Sequence, residues 1–243
     1  MPVMMTFFAE MSADGSYAVL PDEEMHHARD AARLKEGESV RLIIQERIYS
    51  SCYSPENRFL LLGELPSPEP KLKLTLYQGI PKGDKMEYIV QKCTECGVER
   101  VIPVAFSRCV SIWDPKNEKK RSRLTRIAEE AAKQSGRAHV PEIGNVIHAD
   151  EIPVSAHHPC LVPWENAQSG QSRGIRSWWE KRGDKPGELS LVIGPEGGIA
   201  EEEIALLTSR GAACISLGPR ILRTETAGLA ALCALMTVSG NME

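Results

Sequence analysis

The rhythm of apolar and polar positions changes near residue 70. Before that point, short runs of β-branched and apolar residues predict strands over 39–45, 47–53 and 58–64 and one helix over 23–34, the pattern of a small β-barrel or curled sheet. After it, apolar runs at 72–77, 101–105, 160–163, 189–193 and 214–217 alternate with helical stretches near 84–96, 119–135, 174–182, 200–209 and 224–238. Strand and helix in turn read as βαβ units, and so as a parallel sheet flanked by helices. Three prolines, Pro66, Pro68 and Pro70, disfavour helix and central strand between the two regions. The expected organisation is therefore an N-terminal domain over 1–66, a linker over 67–72 and an α/β domain over 73–243.

Two of the later strands end in the same abrupt way. Leu191-Val-Ile runs into Gly194-Pro-Glu-Gly-Gly198, and Ile215-Ser-Leu runs into Gly218-Pro219. Parallel strands that break into glycine and proline mark the edge of a sheet where a ligand crevice forms. Gly197 and Gly198 can adopt positive φ and let the backbone approach a ligand, and Glu201-Glu202-Glu203 then opens a helix. Neither turn carries the Gly-Lys-Ser/Thr ending of a P-loop or the Gly-x-Gly-x-x-Gly of a dinucleotide site. The last helix, around Thr226 to Met236, is apolar almost all round and rich in small side chains, so it should be buried against the ligand loops or a partner subunit.

On Gly194-Pro-Glu-Gly-Gly198 and on Leu217-Gly-Pro-Arg-Ile-Leu-Arg-Thr-Glu-Thr-Ala227, the chain resembles the SPOUT methyltransferases and, within them, the RsmE family of ribosomal RNA small subunit methyltransferases. The likeness extends upstream through Gly79 to Lys85, Gln91 to Glu95, Arg108 to Val110 and Arg126 to Ser135, and His26-His27 also falls where the family has a similar stretch. It implies a trefoil knot through which the last helix is threaded, and an N-terminal PUA-like β-barrel that binds RNA. The implied reaction is methyl transfer from S-adenosyl-L-methionine to N3 of a uridine in 16S rRNA of the small ribosomal subunit. The implied assembly is a homodimer with cofactor pockets at the subunit interface.

Carried onto this chain, the cofactor slot would comprise Pro163, Trp164 and Glu165 from the third strand. Ile193, Gly194, Pro195, Gly197 and Gly198 would come from the first turn, and Leu217, Gly218, Ile221, Leu222, Arg223, Thr226 and Ala227 from the second. Methyl transfer from a sulfonium needs positioning and desolvation rather than a metal, and none is expected. Uridine N3 is protonated at neutral pH, so a base must act. Glu225 is the first candidate, with Glu165 and Glu196 behind it, while Arg223 is placed to stabilise negative charge developing on the uracil oxygens. Glu225 and Arg223 also have structural readings, as a helix-dipole partner and an ion-pair partner. Lys82, Lys85, Lys92, Arg108, Gln134 and Arg137 match family motifs and are the expected RNA contacts. Where relatives often carry an arginine before two aromatics, this chain has Thr6-Phe7-Phe8, expected as core of a first strand.

Charge limits how RNA could be held. Over 243 residues the net charge is −4, so any RNA contact must be local. The run from Lys116 to Arg126 concentrates positive charge but reads by itself as a solvated helix face. The seven cysteines are scattered and suit reduced thiols; Cys93-Thr-Glu-Cys96 alone has motif-like spacing and is expected to be core packing. No apolar run approaches a bilayer span and no secretory signal is visible, so a cytoplasmic protein is expected. Two other functions compete: a non-catalytic RNA-binding or ribosome-assembly protein that keeps the fold, and a SPOUT enzyme acting on another RNA target. Cofactor binding would discriminate the first.

Overall fold

In the computed structural model, residues 5–114, 118–155, 158–165 and 174–242 are described, with Ala31 described by its backbone alone. Lys116, at the start of the basic run, lies outside them. The chain divides into two units: one runs to Glu69 and takes in Ala132–His139, and the other holds Pro70–Ala131 and the chain from Val140 onward.

The first unit is one six-stranded sheet in the order β1-β4-β5-β6-β3-β2. Its strands are β1 (Thr6–Phe8), β2 (Glu10–Met11), β3 (Ala18–Val19), β4 (Ser39–Ile44), β5 (Arg47–Ser54) and β6 (Arg58–Leu65). β1 and β2 are the two edges, yet only Ala9 separates them in the chain. The sheet must therefore curl until its edges approach one another, which gives a barrel-like unit without a hydrogen-bonded closure. Alternate side chains of the long strands point inward, where Val40, Leu42, Ile44, Phe59 and Phe7 form a core, so the expectation for Phe7 holds. The helix expected over 23–34 is shorter. An α-helix α1 (Asp22–His26) runs into a π-helical turn (His27–Ala31), and Arg33, at φ 52°, ends the helical path before Leu34.

The second unit is a seven-stranded sheet, all of whose recorded pairings are parallel. Its strands are β7 (Lys73–Gly79), β8 (Arg100–Ala105), β9 (Glu142–Ile143), β10 (Ile147–His148), β11 (Cys160–Pro163), β12 (Glu188–Ile193) and β13 (Ala213–Ile215). The main path is β10-β8-β7-β12-β11-β13, with β9 beside β8. Its helices are α2 (Lys85–Glu95), α3 (Glu118–Ser135, whose last turn belongs to the first unit), α4 (Ile175–Lys181), α5 (Glu201–Ser209) and α6 (Thr224–Val238). Burial on both faces explains the unbroken apolar runs of the strands. Leu189, Leu191 and Ile193 of β12 pack with residues of α2, α3, α4 and α6, whereas Val192 faces the opposite side with Ile204 and Leu207 of α5. Sequence order and spatial order differ most at the centre, where β12 lies between β7 and β11. That placement brings the ends of β11, β12 and β13 side by side.

Candidate active site

Where those strands end, a cleft of about 370 Å³ opens. Its walls are Pro163, Trp164 and Glu165 after β11, the 193–199 turn after β12, and the 216–224 segment between β13 and α6, completed by Lys85 and Ala227. Backbone demands explain the glycines at two points. Gly198 sits at φ +72° and Gly218 at φ +101°, conformations that side chains rarely adopt. A Cβ on Gly79, the last residue of β7, would come within 2.5 Å of Pro195 N, so the end of that strand must be bare for the turn to pass.

Thr224, the buried first residue of α6, ties three segments together. Its hydroxyl donates to the Gly194 carbonyl at 2.6 Å and accepts from Gln78 Nε2 at 2.8 Å. The end of β7, the first turn and the start of the last helix therefore share one hydrogen-bond chain. Trp164 N–H donates to the Ile215 carbonyl at 3.1 Å, which fixes the β11 end against β13.

Charge is unevenly placed around the opening. Lys85 Nζ lies 2.8 Å from Glu196 Oε1 and 3.3 Å from Glu225 Oε2. The second contact is close enough for charge pairing, and Glu225 Oε2 is buried with no better-aligned partner among the described residues. The bond to Glu196 raises the Lys85 pKa against a smaller opposing effect of burial, and Glu225 adds to the rise. Burial works against ionisation of Glu196, but hydrogen bonds from Lys85 and from backbone N–H groups, Lys82 N–H among them, outweigh it and lower its pKa. Lys85 and Glu196 are thus a held ion pair in the cleft wall. Arg220 and Arg223 are different: both line the cleft, both are exposed, and neither has an ion-pair partner among the described residues.

Most residues expected at a cofactor slot come together here, and two do not. Gly197 faces away, because a Cβ there would lie 2.8 Å from the Arg108 carbonyl; it lets the 107–110 loop approach the turn, and its φ is not positive. Thr226, exposed on the first turn of α6, also stays outside the lining. Glu225 lies behind the wall, against Lys85. Sequence reading did not place Ile199, Ser216, Arg220 and Thr224 in the cleft. For Thr224 a signal existed, since a threonine opening a small-residue helix after a ligand turn has a hydroxyl to spare for neighbouring backbone.

The expected RNA contacts separate more sharply. Lys82 and Arg108 are exposed near the first turn. Lys85 is engaged as described, and Lys92 pairs with Glu95 at 2.8 Å. Arg137 belongs to the first unit, where it is buried and bound to Glu69, with Nη2 2.7 Å and Nε 3.1 Å from Oε2. Its guanidinium is occupied by a carboxylate and is not presented to a phosphate. Gln134, also in that unit, is exposed.

Residues 68–236 match the model of an RNA methyltransferase domain family. The ribosomal RNA small subunit methyltransferase E of Bacillus subtilis (strain 168) is 36% identical over 222 residues, covering 88% of this chain and 87% of that relative. The chain belongs to the ribosomal RNA small subunit methyltransferase E family. Among solved structures, the family member from Neisseria gonorrhoeae, bound to S-adenosyl methionine, superposes with a TM-score of 0.80 at 28% identity, covering 96% of this chain and 97% of that one. A methyltransferase from Legionella pneumophila in complex with the same cofactor gives a TM-score of 0.78, also at 28% identity and with the same coverage.

Proposed function

We propose that this member of the family transfers a methyl group from S-adenosylmethionine to N3 of a uridine in 16S rRNA of the small ribosomal subunit. The observation that carries the reading is the cleft itself. Its volume suits a nucleoside-sized ligand, and Ile193, Ile199, Leu217 and Leu222 offer an apolar slot for a purine. S-adenosylmethionine, when bound there, supplies a methyl already activated by its sulfonium. The protein's own part is to hold two reactants in line, keep water out and manage one proton.

Arg223 is the side chain we assign to the substrate. It stands at the N-cap of α6, free of carboxylates, and its guanidinium can donate to uracil oxygens as negative charge develops there. Glu225, in the first turn of the helix, is the base candidate we favour. Lys85 holds it in place, and Arg223 lies two residues away. Lys82, Arg108 and Arg220 are the exposed cations placed to guide the RNA backbone towards the opening. The curled first unit serves in this reading as a PUA-like RNA-binding domain, with its buried Phe7 and its Phe8–Lys133 pair as structure rather than contact. We read the catalytic domain as 73–243 with 67–72 as linker, except that Ala132–His139 belong to the first unit.

We further assign the C-terminal arrangement to the SPOUT knot. The packing of Gly228 in α6 against Gln78, Ile193 and Leu76 supports this, since the helix passes tightly across β7 and β12. The working form is a homodimer. Ile221, 80% exposed in a loop that lines the cleft, is an apolar side chain waiting for cover, and a second copy would supply it. Among the described residues no helix is long and apolar enough to cross a membrane, and we place the protein in the cytoplasm with its ribosomal substrate.

The deciding experiment incubates the purified protein with S-adenosylmethionine and small ribosomal subunits or their RNA, then maps modified nucleosides by mass spectrometry. One N3-methyluridine in 16S rRNA is expected. Methylation of a ribose hydroxyl, or of transfer RNA alone, would overturn the assignment, and failure to bind the cofactor in a calorimetric titration would favour a non-catalytic role.

A further inference from the structure

Cys96 does not meet its motif partner. Cys93 is fully buried in α2, whereas Cys96, at the C-cap of that helix, is half-buried and turned to Cys233 of α6. The two sulfurs are 3.5 Å apart and share a hydrogen bond. Closing that gap to a disulfide of about 2.05 Å takes a shift of about 1.5 Å, within reach of two helix side chains. The hydrogen bond with Cys96 lowers the Cys233 pKa to about 7, in spite of opposing burial. Cys93 is the opposite case, its thiol pushed far up by burial. The two thiols that face one another therefore sit on different elements, Cys233 within α6 and Cys96 at the end of α2.

We propose that Cys96 and Cys233 form a peroxide-sensitive dithiol that closes into a disulfide between α2 and α6. The oxidant is hydrogen peroxide or an alkyl hydroperoxide. The Cys233 thiolate attacks one peroxide oxygen, the O–O bond breaks, and the departing hydroxide or alkoxide takes up a proton, leaving a sulfenic acid. The Cys96 sulfur then attacks Cys233 Sγ. The S–O bond breaks, water leaves with the Cys96 proton, and the S–S bond forms. Two thiols have given two electrons to one peroxide. α6 begins at Thr224 and lines the cleft through Thr224 and Ala227, so the bond would join α2 to the helix that carries part of the candidate site.

The test treats the full-length protein with one to a few equivalents of hydrogen peroxide, alkylates under denaturing conditions and measures the intact mass and cross-linked peptides. Loss of two of the seven thiols is expected, with a mass decrease of about 2 Da before alkylation and a peptide pair joining Cys96 to Cys233. Cys93→Ser should leave this unchanged. Cys96→Ser should stop the reaction at a Cys233 sulfenic acid trapped by dimedone, and Cys233→Ser should abolish both products; circular dichroism confirms that each variant is folded. A Cys93–Cys96 cross-link, seven alkylated thiols after treatment, or thiol loss that persists in folded Cys233→Ser would overturn the proposal.

Discussion

At the scale of single residues, Thr224 and Arg223 are adjacent and predict opposite behaviour. Thr224→Val removes the donor to Gly194 and the acceptor for Gln78, leaving buried polar groups unpaired. A loss of about 1–3 kcal/mol in urea unfolding is expected, together with weaker cofactor binding. Arg223→Ala touches no partner in the folded protein, so stability and cofactor affinity should stay near wild type while turnover falls by about 10²-fold or more. Wild-type turnover in that variant would remove Arg223 from the mechanism. These roles were unequally visible in the sequence. Arg223 sat in a motif, and its freedom from carboxylates became clear only in three dimensions. Lys85 sat in a motif too, but its two acids lie 111 and 140 residues away (196 − 85 and 225 − 85), which no local pattern encodes. Arg137 shows the same limit: a cation that looked suited to phosphate is neutralised by Glu69, 68 residues earlier.

Elements were legible where packing is two-sided and the run is long. β7, β8, β11 and β12 announced themselves as apolar runs because helices cover both faces of the sheet, and α6 because small residues surround it. Two-residue strands such as β9 and β10 have no period to detect. The π-helical turn after α1 was equally hidden, since one extra residue per turn leaves composition unchanged. Gly79 belongs to this scale, because its missing side chain lets one element pass another. Gly79→Ala forces a Cβ into the backbone at Pro195, so cofactor affinity should drop at least tenfold in a calorimetric titration, in line with the cost of overpacking, about 1–3 kcal/mol. Gly183→Ala, where a Cβ meets open space, is the matched control and should bind normally.

For the molecule as a whole, the change of rhythm near residue 70 falls beside the end of the first unit's N-terminal segment at Glu69. The membership of Ala132–His139 in the first unit was not legible, because Ala132 to Ser135 are the last turn of a helix begun in the other. The Glu69–Arg137 pair closes that non-contiguous unit. Burial opposes ionisation of Glu69, but Arg137 and the N–H groups of Ala138 and His139 outweigh it, so the carboxyl is held below its ordinary 4.5. A depressed carboxylate pKa stabilises the fold above about pH 4.5, and that contribution disappears as pH falls through the folded value. Glu69→Gln should therefore cost on the order of 2 kcal/mol at pH 7, with the gap from wild type narrowing in urea titrations as pH is lowered below about 4.5. A constant gap at all pH values would show that charge is not the source.

The position of β12 also sets a timetable for synthesis. Its partner β7 ends at Gly79, but β12 pairs with it from Lys73↔Glu188 onward, a separation of 115 residues (188 − 73). A nascent chain therefore leaves the ribosome with β7 and β8 made and the middle of their sheet missing, and at about 5–20 residues per second the vacancy lasts for several seconds. Until Ile193 has emerged, one edge of β7 is an unpaired apolar strand, open to nascent-chain chaperones or to the wrong partner. Slowing translation between residues 79 and 188 should lengthen that window and lower the soluble yield, while leaving the finished molecule unchanged.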